Sequence, residues 1–507
     1  MRFLSFTTLL CGLLACQGAS LQKPRASSSS VASVQPRPAP ATGPDWQPTL
    51  SCSAPLFIDK ISNWSERRVA GGGMDAIRRA IDGAPKDKAV RITIAAGTYT
   101  GQCLYIENHQ RNEQHPLWIR GEGTVQLDCH DGNGQAIGLE NASWIALDNL
   151  TVGPASGYYG DSAVHIAGHP VEIENPARYG QYQLSHHVIV RRLTARNLNR
   201  GPDGDADPDA YESGCCDGIK VNQAEQVWLI DNQISRTARH GIDLVGVHQA
   251  AICANRLTDM VGAGHGLEAK GGSQDILFEG NTVFRARHRG LLLGGEGTAD
   301  VYMYPIGAKF EGTHQLARNN LLIDASEGGL GFYGCQDCAA VANTVWQTQG
   351  FGSETRDFIR MFESILEAGE EWGGARRVGE MIPSRDNLVI NNFFGAAEPG
   401  VTCAFEASPH GVAGLSMHHN LWWNGGQPLP ECGEGQQSIT AYPDPASSFA
   451  DADPALLDPG TPSQLPNLTP RPDSPLIGKG AAHRLNPSVD ASGRPRPALL
   501  SIGALEP

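Results

Sequence analysis

Three apolar runs in the middle of the chain end in asparagine: Val227-Trp228-Leu229-Ile230-Asp231-Asn232, Ala251-Ile252-Cys253-Ala254-Asn255 and Ile276-Leu277-Phe278-Glu279-Gly280-Asn281. Their asparagines are 23 and 26 residues apart, and the series continues at Asn320, Asn343, Asn392 and Asn420. Each repeat also contains a second short run that begins at glycine, such as Gly218-Ile219-Lys220-Val221 and Gly266-Leu267-Glu268-Ala269-Lys270. Alternation of apolar and polar residues between glycine turns predicts strands rather than helices.

A repeat of this length with two or three short strands cannot bury its apolar face alone. Stacking of successive repeats as parallel rungs of a coil solves that problem. Asparagines that recur at the same turn would then stack and hydrogen-bond from rung to rung. The pattern therefore predicts an all-β solenoid.

The composition agrees with a turn-rich β-structure. Glycine contributes 60 of 507 residues and proline 33, while only 18% of residues are charged, which excludes a coiled coil or helical bundle. The 39 basic residues face 54 acidic ones, a net charge of −15. A broad phosphate-binding surface is therefore not expected, and neither is a nucleic-acid partner. No feature of the sequence indicates oligomerisation, and we expect a monomer.

The N-terminus predicts export. Residues 1–16 combine Arg2 with a short apolar stretch, and Leu13-Leu14-Ala15-Cys16 resembles the lipobox of bacterial lipoproteins, in which the cysteine is acylated. The alternative is an ordinary signal peptide with an incidental cysteine. We expect an exported lipoprotein of the bacterial outer membrane or cell surface, or alternatively a periplasmic or secreted protein. No later stretch approaches the ~20 apolar residues of a membrane helix.

Residues 17–48 are rich in Ser, Pro and Ala and predict a disordered tether, so the folded domain is expected over residues 49–507. Ten cysteines remain once Cys11 and Cys16 are set aside, and disulfides are the expected state of an even number in an exported chain. Cys103 and Cys129, Cys403 and Cys432, and Cys335 and Cys338 lie near each other in sequence. A zinc site at the last pair is disfavoured because no second ligand pair follows.

The chain resembles the pectin-lyase-like right-handed parallel β-helix superfamily over roughly residues 50–507. The entry segment supports this resemblance, because Gly72 to Ile81 has helical spacing and precedes the alternating strand Val90 to Ile94. In that superfamily such a helix caps the first rung. The segment from Asp473 to Glu506 is similar to the closing segment of many exported bacterial proteins of this type.

The alternation also sorts inward from outward residues on the glycine-opened strands. Lys220, Asp243 and Glu268 are expected in one outward column, followed by Leu292, and Asn222, Val245, Lys270 and Gly294 in a second. Just before the glycines stand Asp217, His240, His265 and Arg289. Adjacent rungs are ~4.8 Å apart, so these side chains would form one compact polar patch. The alternative is that they only keep a sheet face soluble or support turns.

The segment from Gly266 to Ser273 resembles the strand that carries a metal-binding acid and a catalytic lysine in β-helical alginate lyases and chondroitinase B. The resemblance implies that Lys270 is the Brønsted base and Glu268 a calcium ligand. Those lyases place an arginine on the following rung, where this chain has Leu292 and Leu293, so that Arg289 or Arg287 would have to take its place.

These residues fit β-elimination from a uronate, because the proton beside a carboxylate becomes acidic only when a cation neutralises that carboxylate. A lysine can act as the base if burial and a nearby cation lower its pKa. The acidic loop that precedes the Lys220 strand offers oxygen ligands for Ca²⁺, or is simply a solvated loop. The candidate catalytic residues are Lys270, Lys220, Arg289, His265 and His240. The candidate calcium ligands are Glu268, Asp243, Asp217, Asp203, Asp205, Asp207 and Asp209.

Two alternatives remain open beside a lyase acting on an acidic polysaccharide. Asp243 and Glu268, ~5 Å apart on neighbouring rungs, have the separation of a retaining glycoside hydrolase, although adjacent lysines would keep both carboxylates ionised. The second alternative is a lipid-tethered protein that binds glycans without cleaving them, with the insertions at 296–314 and 350–383 as contact loops. The pattern of residues 357–361 is compatible with a helix or with a strand. If the segment is a strand, Arg360 would bind a sugar some distance from Lys270. Asn222 and Arg287 are the other candidate substrate-binding residues.

Overall fold

The computed structural model describes residues 45–129, 135–153, 162–170, 182–198, 217–262, 264–299, 302–348, 357–366, 377–430, 432, 453–461, 463–498 and 500–507. In this part of the chain, 30 strands join through parallel pairings, with each rung stacked on the one before. The architecture is a right-handed parallel β-helix, as the repeats predicted. Residues 1–44, with the expected signal peptide, Cys16 and nearly all of the tether, lie outside the described residues, and so does the acidic loop with Asp203, Asp205, Asp207 and Asp209.

Three parallel sheets form the walls of the coil. The first contains Leu104–Glu107, Ile137–Glu140, Ser162–Ala167, Leu267–Lys270, Arg289–Gly294, Gly328–Tyr333, Asp357–Phe362 and Cys403–Ala407, and Asp217–Ile230 and Ile242–Cys253 run from it into the second. The second contains Ser65–Val69, Ser143–Asp148, Ser185–Arg191, Ser273–Glu279, Gly312–Arg318, Cys335–Gln336, Ala339–Val341, Leu388–Ile390 and Ser416–His418, and Val90–Gly101 and Leu117–Cys129 run from it into the third.

The third sheet contains Thr151–Val152, Thr194–Arg196, Gln233–Thr237, Arg256–Met260, Thr282–Ala286, Leu321–Ile323, Thr344–Gln347, Phe393–Ala396 and Leu421–Asn424. Three short pairs outside the coil are antiparallel: His169–Pro170 with Tyr182–Gln183, Ser364–Ile365 with Met381–Ile382, and Leu456–Asp458 with Asn467–Pro470. The segment 357–361, which the sequence left open, therefore belongs to a strand of the first sheet.

The core lies inside the coil and is built by stacking like residues on successive rungs. Ile219, Ile242, Leu267, Leu291 and Leu330 pair in register along the first sheet, and all five are fully buried. Because strand side chains alternate between faces, the residue after each of these points outward. The inward row thus fixes which side chains form the outer face of the sheet.

The asparagines form a ladder at the turn between the second and third sheets, as predicted. The Oδ1 of each ladder asparagine from Asn255 to Asn420 accepts two hydrogen bonds of 2.9–3.0 Å from the ladder asparagine one rung earlier. One comes from the backbone N–H of that residue and the other from its Nδ2. Each Nδ2 also donates to a backbone carbonyl. The residue before each asparagine has a positive φ, for example 55° at Asp231, which turns the chain toward the third sheet.

Replacing Asn281 with alanine is expected to lower the free energy of unfolding by ~3 kcal/mol, because several buried hydrogen-bonding groups lose their partners at once. Its Oδ1 accepts from Asn255, and its Nδ2 donates to Ile252 and Asn320. Urea unfolding followed by circular dichroism measures the change. Asn63→Ala, at an exposed position, is the control. Equal midpoints for the two variants would show that the ladder does not stabilise the coil.

A helix closes the N-terminal end of the coil, as the spacing predicted. Helix α1 (Gly73–Asp82) buries Met74, Ile77 and Ile81 in the same apolar cluster as the first rungs. Its N-cap Gly72 has a φ of 82°, a left-handed conformation that glycine adopts without strain. The open first rung is therefore not exposed to other strand edges.

Both ends of the described chain cover an apolar row on the outer face of the second sheet. The row contains Ala146, Ile189, Leu277, Leu316, Ala339 and Leu388. A 3-10 helix, Phe57–Lys60, buries Phe57 and Ile58 against its first part, and Leu485 from the C-terminal segment packs on its second part. The N-terminal segment is also attached to this sheet by a disulfide between Cys52 and Cys253.

Four disulfides occur in the described part of the chain: Cys52–Cys253, Cys103–Cys129, Cys335–Cys338 and Cys403–Cys432. The expectation of disulfides is confirmed, and the last three join cysteines that are close in sequence. Disulfides persist in oxidising compartments, which indicates an exported protein. None of the helices in the described ranges has the length and apolar composition needed to span a membrane.

Candidate functional site on the first sheet

The outer face of the first sheet carries a column of polar residues in register. His165, Lys220, Asp243 and Glu268 pair directly on successive strands, with neighbouring side chains one rung apart. The column predicted from Lys220 to Glu268 is therefore present, and Leu292 follows it as expected. The side chains are less exposed than a sheet surface would suggest, since Asp243 and Glu268 are almost completely buried.

The second outward column agrees with the prediction only in part. Asn222, Val245 and Lys270 pair in register, and Asn222 Nδ2 lies 3.2 Å from His165 Nε2. Gly294 does not continue this column, because a register shift after Glu268 places it opposite Ala269. The extra residue at this shift is Leu293, on the strand Arg289–Gly294.

Each buried carboxylate of the column is in contact with a lysine ammonium group. Lys220 Nζ donates to Asp243 and lies 3.8 Å from Asp217 Oδ2. Lys270 Nζ donates to Glu268 Oε2 at 2.7 Å. The lysine side chains are 12% and 15% exposed, so these pairs are shielded from water and retain strong electrostatic interactions.

The two carboxylates have opposite pKa shifts. Burial would raise the pKa of Asp243, but the ammonium groups of Lys220 and Lys270 outweigh burial and hold it well below its usual range. Burial raises the pKa of Glu268 to about 7, and Lys270 offsets this only in part. The expectation that the lysines keep both carboxylates fully ionised at neutral pH is therefore wrong for Glu268, because burial is the larger influence there. Burial also raises the pKa of Asp217, to about 6.

The same contacts determine the state of Lys270. Burial alone would lower the pKa of its amine, as the lyase hypothesis requires. The negative charges of Asp243 and Glu268 outweigh burial, so that its pKa lies above the ordinary value. In this arrangement Lys270 is an ammonium ion, and it becomes a base only when its two carboxylate neighbours are neutralised.

A ladder of hydrogen bonds follows the turn at the start of the first sheet. The backbone N–H of His240 donates to Asp217 Oδ1, that of His265 to His240 Nδ1, and that of Arg289 to His265 Nδ1, at 2.9–3.2 Å. Both imidazoles therefore carry their proton on Nε2 when neutral. Burial lowers the pKa of both histidines well below the usual value, so that they are neutral at pH 7.

His240, His265 and Glu268 form a cluster whose potential ligand atoms lie within 4.8 Å of one another. The hydrogen bonds to the two Nδ1 atoms argue against a metal bound through the imidazoles. A metal on Nδ1 would displace a backbone hydrogen bond, and a metal on Nε2 would displace the proton of the neutral imidazole. The oxygens of Glu268 lie 3.8 and 4.0 Å from His240 Nδ1 and His265 Nε2, beyond hydrogen-bonding distance.

Arg289 does not occupy the position expected of a substrate-binding arginine. Its side chain is fully buried and makes two hydrogen bonds, of 2.9 and 3.2 Å, to the carboxylate of Asp357 two strands away. Arg287 is exposed at the turn before it. Arg360 lies in the Lys220 column three strands beyond Glu268, where it contacts Asp357 at 3.0 Å and Glu406 at 2.5 Å.

The glycines after Lys270 allow an insertion to pack directly against its strand. A Cβ on Gly272 would lie 2.6 Å from the carbonyl oxygen of Tyr304. Glu311, buried on the same insertion, accepts hydrogen bonds from the Gly271 backbone N–H at 2.8 Å and from Thr298 at 2.7 Å. The Lys-Gly-Gly-Ser segment thus holds Lys270 in place from its C-terminal side.

Sequence reasoning missed four residues of this face: His165, Glu311, Asp357 and Glu406. His165 and Glu406 extend the Lys220 column at its two ends, and a longer alignment of the repeats would have found both. Asp357 follows the turn column that contains Arg289, so the same alignment would have paired them. No pattern in the sequence signals Glu311, because it reaches the site from an insertion.

The parallel β-helix is similar to several solved structures. No family model matches the chain, and no curated protein matches it by sequence. Among solved structures, it is similar to the A-module of the mannuronan C-5 epimerase AlgE6 from Azotobacter vinelandii, at 13% identity and a TM-score of 0.46, over 71% of this chain and 91% of that one. By its own strand pairings, the chain is a parallel β-helix.

Two further solved structures are similar to the chain. The PL6 family polysaccharide lyase Pedsa3628 from Pseudopedobacter saltans is 12% identical, with a TM-score of 0.43, over 72% of this chain and 88% of that one. Pectate lyase Pel9A is 14% identical, with a TM-score of 0.44, over 87% and 97%. At these identities the likeness concerns the backbone alone.

The raised pKa of Glu268 predicts a pH-dependent stability. Its folded pKa of about 7 exceeds the ordinary 4.5, so its stabilising contribution is complete below pH 4.5 and is lost as the pH rises toward 7. Glu268→Gln is expected to remove ~3 kcal/mol of this pH dependence. Urea midpoints between pH 4.5 and 7, with a chelator present, measure it. Glu107→Gln, exposed on the same sheet, is the control, and identical pH profiles for the two variants would contradict the assignment.

Proposed function

We propose that the chain is an enzyme that cleaves a uronate-containing polysaccharide by β-elimination on the outer face of the first sheet. The observation that carries the proposal is the alternation of buried carboxylates and ammonium groups on three successive rungs, from Lys220 through Asp243 to Glu268 and Lys270. Buried charges cost folding free energy, and groups with strongly shifted pKa values cluster at sites of chemistry.

The reaction needs a base and a means of neutralising the substrate's carboxylate. Lys270 is the proposed base, with Lys220 as the second cation of the site. Burial favours the neutral amine of Lys270, and only the charges of Asp243 and Glu268 oppose it. The neutral amine would form when Lys270 Nζ passes its proton to Glu268 Oε2, 2.7 Å away. The amine then takes the proton beside the substrate's carboxylate, the bond to the departing sugar oxygen breaks as the double bond forms, and that oxygen takes a proton from water.

The donor set of the site fits Ca²⁺, which prefers oxygen ligands. Around Lys220, three buried oxygens have no hydrogen-bond partner among the described residues: Asp217 Oδ2, Asp243 Oδ1 and Asn222 Oδ1. Asp217, Asp243 and Glu268 would hold the ion, with further oxygens from the acidic loop at 203–209. Calcium, when bound, supplies positive charge that stabilises the carbanion next to the substrate's carboxylate.

Ultraviolet absorbance tests the proposal, because elimination leaves an unsaturated sugar. The purified protein is incubated with alginate, pectate or glycosaminoglycans, with calcium or with a chelator. A rise in absorbance that the chelator abolishes supports both the elimination and the calcium site, whereas a rise that survives the chelator supports the elimination alone. No rise on any uronate polymer would overturn the proposal.

A glycoside hydrolase is the second candidate, and the divergent pKa values of Asp243 and Glu268 favour it. Asp243 is ionised, Glu268 can carry a proton near pH 7, and they occupy paired positions on adjacent strands. Such a pair can serve as nucleophile and proton donor. New reducing ends without absorbance would identify the hydrolase, and glycan binding without any product would identify a binding protein.

We also propose that the protein is exported and anchored by acylation of Cys16. The aliphatic-small-Cys order at the end of the apolar stretch supports the anchor. Metabolic labelling with a radioactive fatty acid tests it in cells that express the full chain. Label in the unchanged protein that Cys16→Ser loses is the expected result, and an unlabelled protein would contradict it.

A further inference from the structure

A second cluster of charged residues lies on the outer face of the second sheet, around Trp118. Arg91 pairs with Trp118 on the neighbouring strand, and the guanidinium carbons of Arg91, Arg120 and Arg191 lie 5.2, 5.5 and 5.4 Å from the centre of the Trp118 ring. Cation–π contacts of this kind hold guanidinium groups at a surface in fixed positions. We call these four residues the Trp118 cluster.

A cavity of about 380 Å³ opens beside the Trp118 cluster, where these strands turn toward the third sheet. Its charged lining consists of Arg120, Glu122, Asp148 and Arg192. The cavity belongs to the second sheet and shares no residue with the candidate site on the first sheet. Its chemistry is therefore independent of the lyase proposal.

Both acidic groups of the cavity are already neutralised. Asp148 is fully buried and accepts hydrogen bonds from Arg191 at 3.0 Å, from Arg192 at 2.7–2.9 Å and from the Trp118 indole N–H at 3.1 Å. Glu122 forms an ion pair of 2.6 Å with Arg68. These carboxylates therefore do not require a cation from solution.

Positive charge remains after this pairing. Within the described ranges, Arg120 forms no ion pair, and its guanidinium carbon lies 5.5 Å from the centre of the Trp118 ring. Arg192 uses Nε and Nη2 on Asp148, which leaves its Nη1 for another acceptor. The side-chain amide of Asn149 donates to the carbonyl groups of Gly121 and Gly123, at 3.0 and 3.2 Å. Its N–H groups are therefore already used and are not available to an anion. A local excess of positive charge in a chain of net charge −15 requires an explanation.

We propose that this cavity is a binding site for an oxyanion, held between the guanidinium groups of Arg120 and Arg192. Guanidinium groups bind carboxylate, sulfate and phosphate oxygens through directed hydrogen bonds. The cation–π contact keeps Arg120 in position without consuming its N–H donors. The anion is either a charged group of an acidic glycan or a free inorganic ion, and these two sources share the same recognition chemistry.

Isothermal titration of the purified full chain at low ionic strength tests the proposal, with sodium sulfate, inorganic phosphate and a galacturonate trisaccharide as probes. Saturable binding of at least one probe is expected, and Arg120→Ala should weaken it at least tenfold. Arg256→Ala, which removes an exposed arginine of the third sheet, is the matched control and should leave the affinity unchanged. Tighter binding of the trisaccharide identifies a glycan as the source, and equal binding of all three identifies a free anion.

The same titration with Lys270→Met separates this site from the proposed active site. Binding that Lys270→Met retains and Arg120→Ala loses supports the oxyanion site even if no polymer is cleaved. The proposal would be overturned by absence of binding of all three anions, or by equal effects of Arg120→Ala and Arg256→Ala. Loss of binding in Lys270→Met alone would assign the anion to the first sheet and would also overturn it.

Discussion

Lys270→Met should reduce the rate of unsaturated product formation about 10³-fold, since it removes the proposed general base. Methionine keeps most of the length of the side chain but cannot accept a proton. The initial rate of absorbance increase on the polymer that the unchanged protein cleaves measures the effect. Lys60→Met, an exposed lysine paired with Glu113, is the control and should retain full activity.

The variant must be separated from simple disruption of the site. Removal of Lys270 leaves Glu268 buried without its ammonium partner, and that carboxyl is expected to take up a proton rather than unfold the sheet. Circular dichroism and the urea midpoint of Lys270→Met establish that the protein is folded. A larger loss in Lys220→Met than in Lys270→Met would assign the base to Lys220, and full activity in both variants would exclude a lysine base.

Replacing Arg289 with methionine should lower the free energy of unfolding by ~3–5 kcal/mol, since it leaves the carboxylate of Asp357 buried without its main partner. Both side chains are fully buried and joined by two hydrogen bonds. Arg360, 3.0 Å from Asp357 and only partly exposed, compensates for part of the loss. Equilibrium urea unfolding followed by tryptophan fluorescence measures the difference.

A double variant separates the loss of the ion pair from the loss of packing. Arg289→Met combined with Asp357→Leu removes both charges and keeps apolar volume at each position. It should recover at least half of the stability that the single variant loses, because no unpaired charge remains. A single variant that costs less than ~1 kcal/mol would show that Asp357 is satisfied without Arg289.

Much of the candidate site followed from local pattern. Lys220, Asp243 and Glu268 each stand one residue beyond a buried apolar residue in repeats of nearly constant length. Alternation and rung stacking therefore place them in one column. The asparagine ladder was predicted for the same reason, since residues at equal places in successive repeats must meet. Such predictions need only a period and a register.

The protonation states did not follow from pattern. The carboxyl of Glu268 and the amine of Lys270 are 2.7 Å apart, but their pKa values depend on how deeply the surrounding segments bury them. Arg289 illustrates the same point, because its sequence position allowed it to point toward the site, whereas packing turned it to Asp357. Burial and long-range pairing are properties of the assembled coil.

The sequence by itself determined the parallel β-helix, the capping helix, the asparagine ladder and the outward column of the first sheet, because each arises from a repeat that the chain carries locally. The tertiary structure decided which of those charged groups are buried, how the N-terminal segment is joined to the second sheet through Cys52 and Cys253, and how Glu311 supports the Lys270 strand. These features bring together residues far apart in the chain, and no local period encodes their distance, solvation or charge.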